Sequence, residues 1–250
     1  MSTQEINDSI QCFMIPEKGN ERFREKVIVN SWCSRPGEIK PEYVIHSQES
    51  CRLYADRIAV PYENLRIPFE ELPKGLSPAW SKINMLKWFV ESKYNRMLYL
   101  DLDIIVNNNS PDIFRTHPTG NWLRRDSLME MNWPYQCEQW FVNHLKDRIV
   151  CQPYYNTGVM LIDRYFAENL IGSTCPYLDD SGVYEQHVFN YIIRKDCSDV
   201  RWLSPSWNYF CFTEDDVKKK EDPATPRYFM HFLSRDNKNM IMPYVRQIKN

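Results

Sequence analysis

The sequence predicts an α/β domain with a mixed, mostly parallel central sheet flanked by helices, and three observations point to it. Strand-like and helix-like segments alternate along most of the chain. The run Leu98 to Val106, LYLDLDIIV, has the composition of a buried strand, yet Asp101 and Asp103 stand near its C-terminal end, where open α/β sheets bind their ligands. The 250 residues, 43% hydrophobic and 14% aromatic, suffice for one large core, so a single domain over 1–250 is expected.

The elements follow in order. IQCFMI, Ile10 to Ile15, reads as a short strand, and Asn20 to Trp32 as a helix with Phe23, Val27 and Asn30/Ser31 on one face. Tyr43 to His46 and Arg57 to Pro61 are strand candidates, followed by PYENLRIPFEELPKGLSP, a proline-punctuated loop without a period. Loops of that length tend to be functional. Ser77-Pro78 starts a helix in which Trp80, Ile83, Leu86, Phe89 and Val90 recur at helical spacing, and this helix leads to the DLD strand. Ser110-Pro111-Asp112 repeats the cap-and-first-turn pattern just beyond Val106. Glu138 to Ile149 is helical, Asn156 to Asp163 a strand, Val183 to Arg194 a helix, and Val200 to Leu203 and Tyr228 to Leu233 strands. The run EDDVKKKED has the composition of a solvated loop.

Composition narrows the function. With 31 basic and 33 acidic residues the formal charge is -2, and no basic block tracks a nucleic-acid backbone. MSTQEINDSIQCFMIP has neither a basic segment nor a long apolar run, and no stretch reaches membrane-spanning length, so a soluble, cytoplasmic protein is expected. The eight cysteines contain no C-x-x-C and read as reduced thiols. Neither G-x-G-x-x-G nor G-x-x-x-x-G-K-[ST] occurs, so any phosphate is held without a glycine cradle.

The chemistry must come from the aspartates. Carboxylates removed from water cost several kcal/mol each unless a cation compensates them. Two residues apart on a strand they project from one face, and Asp101 and Asp103 can converge on a hard divalent cation, Mn²⁺ or Mg²⁺, that bridges to phosphate oxygens. A haloacid-dehalogenase phosphatase would use the first Asp as nucleophile, but its motif normally sits on the first strand and needs a downstream G-D-x-x-x-D pair that is missing. A nucleotide-sugar transferase would use both acids to hold a metal on the diphosphate.

Taken together, RMLYLDLDIIV, YYNTGVMLIDR, VYEQHVFNYII, SPSWNYF and YFMHFLS resemble the GT-A-fold (Rossmann-like) glycosyltransferases, most of all the retaining family of glycogenin and the lipooligosaccharide galactosyltransferases, glycosyltransferase family 8. The resemblance spans roughly Ser77 to Ser234. It implies a UDP-sugar donor, a glycan or other hydroxyl acceptor, and a metal held by Asp101, Asp103 and His231. It further implies donor contacts from Asn156 and Gly158 in an N-x-G turn, from Trp207 and Asn208, and from Lys82, where the family often has Arg. Glu185-Gln186 stands for the family's Asp-Gln pair, with Gln186 beneath the anomeric carbon and Glu185 a possible nucleophile or base. Asp126, in Arg124-Arg125-Asp126, is the candidate for a donor-sugar contact, and Phe13 to Pro16 the segment expected to grip the base. The expected division is a nucleotide-binding part over about 1–106 and an acceptor-side part over about 107–250. A self-glycosylating or non-catalytic nucleotide-sugar binder is the alternative from another class, given 15 tyrosines.

Overall fold

Val27, Ile28 and Val29 are all fully buried, the pattern of a strand covered on both faces, and they form the heart of the central sheet. The computed structural model describes residues 25–72, 76–126, 133–145, 153–174, 185–196, 199–218, 226–233 and 237–249. Strands β1 (Glu25–Ser34), β2 (Tyr62–Pro68), β3 (Tyr94–Leu100), β5 (Asn121–Arg125), β6 (Tyr155–Asp163) and β7 (Val200–Leu203) make a six-stranded sheet in the order β2-β1-β3-β6-β5-β7. Only β6 runs against its neighbours, so the sheet is mixed and mostly parallel as predicted. A second sheet joins β4 (Ile104–Val106), β9 (Phe229–Phe232) and β8 (Tyr209–Cys211), with β9 in the middle. The helices are α1 (Glu42–Arg57), α2 (Ser81–Glu91), α3 (Ile113–Thr116), α4 (Trp133–Leu145), α5 (Arg164–Thr174), α6 (Glu185–Asp196), α7 (Glu214–Lys218) and α8 (Ile241–Lys249).

Successive residues of β3 alternate between two cores. Met97 and Tyr99 face Leu86, Phe89, Phe166 and Phe189 on the helices α2, α5 and α6. Leu98 and Leu100 face Cys51, Tyr54 and Ala55 of α1 with Phe114 and Phe229. A third cluster, Ile105, Met230, Phe232, Ile241 and Tyr244, packs the small sheet against α8. Burying apolar surface at about 25 cal/mol per Å² makes these faces the main driving force for holding β3 flat between its neighbours.

Several expectations are corrected. The segment from Asn20 to Trp32, read as a helix, is strand β1 from Glu25 onward; a strand buried on both faces loses the alternation that distinguishes it from a helix. Tyr43 to His46 and Arg57 to Pro61, read as strands, lie in and just beyond the single helix α1. Its buried stripe, Val44, Ser47, Gln48, Cys51, Tyr54 and Ala55, has helical spacing, but the small and polar residues in it hid the period. The long loop contains β2, which pairs in parallel with β1. The carboxylate run is not one strand: β3 ends at Leu100, and Asp101 to Asp103 form a turn before β4. Asn156 to Gly158 is no turn either, being the first part of β6. Helix α2 follows a 3-10 turn at Pro78–Trp80, close to the predicted start. Asp112 caps α3, accepting from the amides of Phe114 and Arg115. The expected strand at Ile10 to Ile15 and the base grip at Phe13 to Pro16 lie outside the described residues.

Cys33 and Cys51 are free thiols, and burial pushes Cys51 and Cys211 up to about 12. Among the described residues no helix is long and apolar enough to cross a membrane.

Candidate active site

The turn after β3 lies against the start of β6 on one side and β9 on the other. The Asp101 amide donates to the Gly158 carbonyl at 2.8 Å, and the Phe232 amide to the Asp103 carbonyl at 2.9 Å. These backbone bonds bring Asp101, Asp103 and His231 together, each offering one ligand atom within 4.8 Å of the others. His231 comes from the small sheet, where it stands opposite Ile104.

Gly158 leaves the space this cluster occupies. A Cβ there would lie 2.3 Å from His231 Cε1 and 3.0 Å from Asp101 Oδ2, so a side chain at this position collides with the ligand set. The β5–β6 pairing jumps from Met160 to Asn156 between Leu123 and Arg124. Such an irregularity re-aims residues, and here the Thr157 hydroxyl meets Lys82 while the Gly158 carbonyl takes the Asp101 amide.

Both aspartates are charge-compensated. Lys82, 5% exposed on the first turn of α2, donates to Asp101 Oδ2 at 3.2 Å, to Thr157 Oγ1 at 3.1 Å and to Glu185 Oε1 at 3.1 Å. All three ammonium hydrogens thus have partners. Burial opposes the Lys82 charge, but Asp101 and Glu185 override it and raise its pKa well above the ordinary lysine value. Tyr99 donates to the other Asp101 oxygen at 2.7 Å. Asp103 has His231 Nε2 3.2 Å from Oδ1 and Lys238 Nζ 3.2 Å from Oδ2. Burial alone would raise the Asp103 carboxyl; the interactions with His231 and then Lys238 outweigh it and hold it well below the usual carboxylate range.

The donor set of two carboxylate oxygens and an imidazole nitrogen suits Mn²⁺ or Mg²⁺. Asp103 Oδ1 is buried and lacks a properly aligned hydrogen bond although it faces the ring nitrogen, so the pocket fits a cation between them.

A cleft of about 260 Å³ opens from this cluster. Its walls are Ser31 to Cys33 at the end of β1, Tyr43 of α1, Pro78, Ala79, Ser81 and Lys82, the DLD turn, Glu185 and Lys238. Ser31 is 4% exposed with its hydroxyl unpaired.

The remaining expected residues divide. Asn156, Gly158, Asn208 and His231 are adjacent through hydrogen bonds. Gln186 is next to the cleft without lining it: its Oε1 takes the Thr157 amide at 3.2 Å and the Thr157 hydroxyl at 3.3 Å. Asn190, one turn along α6, bonds both ways with the Tyr155 backbone and so pins this helix to β6. Trp207, read as a cofactor contact, is 3% exposed and packs against Tyr228 and Phe229, away from the cleft. Asp126 sits at the end of β5 with its amide on the Tyr154 carbonyl, and is not part of the cleft wall.

Tyr99, Thr157 and Lys238 escaped the sequence reading. Tyr99 stands two residues before Asp101, Thr157 is the middle of NTG, and Lys238 follows His231 by seven residues. The first two were masked by their apolar strand context.

The sequence profile of glycosyl transferase family 8 matches residues 25–238. No curated protein sequence matches the chain. Among solved structures, the fold is similar to that of a glycosyltransferase involved in the glycosylation of the major capsid of PBCV-1. There the identity is 13%, the TM-score 0.57, and 87% of this chain and 99% of that one are covered. It is also similar to the galactosyltransferase LgtC in complex with donor and acceptor sugar analogs, at 11% identity and TM-score 0.52, covering 90% of this chain and 96% of that one. The glycosyltransferase GlyE of Streptococcus pneumoniae TIGR4 matches at 12% identity and TM-score 0.52, over 88% of this chain and 60% of that one.

Proposed function

Because the chain belongs to glycosyl transferase family 8 and has the GT-A fold, we propose that it moves a hexose-type sugar from a UDP-sugar to a glycan or other hydroxyl acceptor, with retention, using a divalent cation held by Asp101, Asp103 and His231. The observation that carries this reading is the convergence of those three side chains over Gly158, where only a glycine leaves room for them. Once bound, Mn²⁺ or Mg²⁺ supplies charge neutralisation to the diphosphate leaving group.

The chain's own residues supply the rest. Lys238, on the cleft wall and 30% exposed, is positioned to turn from Asp103 to a diphosphate oxygen. Ser31, Trp32 and Cys33 line the cleft, which supports the end of β1 as the nucleoside contact. Lys82 holds Asp101 and Glu185 and acts on the donor through them. Glu185 lines the cleft, but with Lys82 on its carboxylate it is a weak nucleophile, so its role is to bound the sugar. The Gln186 amide, fixed on Thr157, orients that wall. Among the described residues the acids that line the cleft are Asp101, Asp103 and Glu185, all paired with cations, which favours attack by the acceptor hydroxyl from the leaving-group side, hence retention. In this reading residues before about 106 hold most of the nucleotide, and those after it carry the acceptor side together with Glu185, His231 and Lys238.

The test is thermal unfolding with nucleoside diphosphates and nucleotide sugars, each with Mn²⁺ and with chelator. A ligand at a hundred times its Kd adds about 2.7 kcal/mol, a midpoint shift of roughly 5 to 10 °C. A shift with UDP compounds that disappears with chelator is expected, followed by transfer of the same sugar with its anomeric configuration kept. No shift with any nucleotide would overturn the reading.

A further inference from the structure

A backbone N–H two side chains away fixes which nitrogen of His231 carries a proton, and from this we propose that Asn156 and Asn208 are positioning residues that reserve His231 Nε2 for the divalent cation. The inference rests on the metal-site reading above.

An amide N–H can only donate. The Gly158 N–H meets the Asn156 side chain at 2.9 Å, so the atom it meets is the carbonyl oxygen. That oxygen lies 3.0 Å from the Asn208 side chain, which must therefore present its NH₂ group. The opposite end of the Asn208 amide is its oxygen, 2.9 Å from His231 Nδ1. An oxygen accepts, so Nδ1 keeps its hydrogen whether the ring is neutral or charged. Nε2 is the one ring nitrogen that can give its proton up.

The second bond of Asn156 agrees with this orientation: its NH₂ group lies 3.5 Å from Gln186 Oε1. Asn156, Asn208 and His231 are 5%, 0% and 2% exposed, so water does not compete for them. The Asn208 backbone is held as well: the Arg124 guanidinium donates to its carbonyl while lying 3.5 Å from the centre of the Phe210 ring. At the other end of the relay, Nε2 faces Asp103 Oδ1 at 3.2 Å. A neutral ring with its hydrogen on Nδ1 points a lone pair at that carboxylate, an arrangement only a cation between them makes favourable. Binding a metal there replaces a proton at Nε2 and leaves the Nδ1 bond untouched.

The experiment titrates Mn²⁺ without nucleotide, following free Mn²⁺ by electron paramagnetic resonance, into the parent, Asn208→Leu, Asn156→Asp and His231→Ala. The ¹⁵N shifts of the His231 ring are recorded in the parent saturated with Mg²⁺. The expected spectrum has the hydrogen on Nδ1 and none on Nε2. Asn208→Leu is expected to weaken Mn²⁺ binding about 10- to 100-fold. Asn156→Asp, whose carboxylate still accepts from Gly158 and Asn208, keeps the parent affinity or exceeds it. If His231→Ala weakens Mn²⁺ but Asn208→Leu does not, the inference is wrong and the metal site stands. If His231→Ala changes nothing, the metal-site reading itself is wrong. A hydrogen on Nε2 in the Mg²⁺ form overturns the inference even if Asn208→Leu fails to fold.

Discussion

The six-stranded and three-stranded sheets contribute to the site in different ways. The large sheet supplies Asp101 and Gly158 through β3 and β6 and, through packing on α2 and α6, Lys82 and Glu185. The small sheet supplies His231 and, just before β8, Asn208, and the 3-10 helix Asn237–Met240 supplies Lys238. Asp101 and Glu185 with their buried counter-charge Lys82 thus belong to the large sheet's side, the imidazole and Asn208 to the small sheet's, and Asp103 on the turn between them is compensated from the small-sheet side. The lesson is that the ligand set exists only where the two sheets meet, at the three-residue turn between β3 and β4.

The most severe way to break that junction is Asp103→Ala. Sugar transfer is expected to fall at least about a hundredfold while circular dichroism keeps the parent fold, the size seen when one stabilising group is removed from a transition state. An unchanged turnover number would separate the turn from the chemistry.

Gly158→Ala attacks the junction sterically. With its Cβ 2.3 Å from His231 Cε1, the strand or the ring must move, at a cost of about 1 to 3 kcal/mol in denaturant unfolding and with loss of Mn²⁺ binding. Parent affinity and stability together would mean that the two sheets are not held at this spacing.

Lys238→Met tests the small-sheet side alone. Its side chain is 30% exposed, so stability should change by less than about 1 kcal/mol, while the donor KM rises roughly tenfold. A changed turnover number with an unchanged KM would move Lys238 from binding to the reacting centre.

The large-sheet side is tested through pH, away from the reacting groups. Burial lowers His187 on α6 from 6.5 to about 4, where its Nδ1 meets the Tyr154 hydroxyl at 2.6 Å. The folded protein therefore holds the ring neutral while the unfolded chain takes a proton near 6.5. Between those values the unfolded state binds more protons, so this contribution is fully present above about pH 6.5 and is lost as pH falls toward 4. It amounts to about 3 kcal/mol at most. In His187→Gln the pH dependence of unfolding between 7 and 4.5 should be shallower by that amount; equal slopes would show that His187 titrates normally.

How much of this was legible in the chain differs between the sheets too. The aspartates stood out because charge interrupts an apolar run, and β6, β7, β9 and α6 could be placed because their patterns are continuous and bounded. β1 and α1 were exchanged for other elements. A doubly buried strand has no alternation, and a helix that buries Ser47 and Gln48 has too little apolar contrast to reveal its period. The lysines were harder: Lys82 was noted for its charge, but that it is enclosed by Asp101, Thr157 and Glu185 follows from residues up to 103 positions apart.

The sequence by itself determined the α/β class, the paired carboxylates and the order of motifs along the chain, because residue type and spacing act locally. Tertiary structure alone decided that Asp101 and Asp103 lie in a turn, that Trp207 is core, that Lys238 joins the cluster, and that His231 is oriented through Asn208. Those facts depend on which strands pair and in what register, and a register is set by the summed packing of both faces rather than by any one residue.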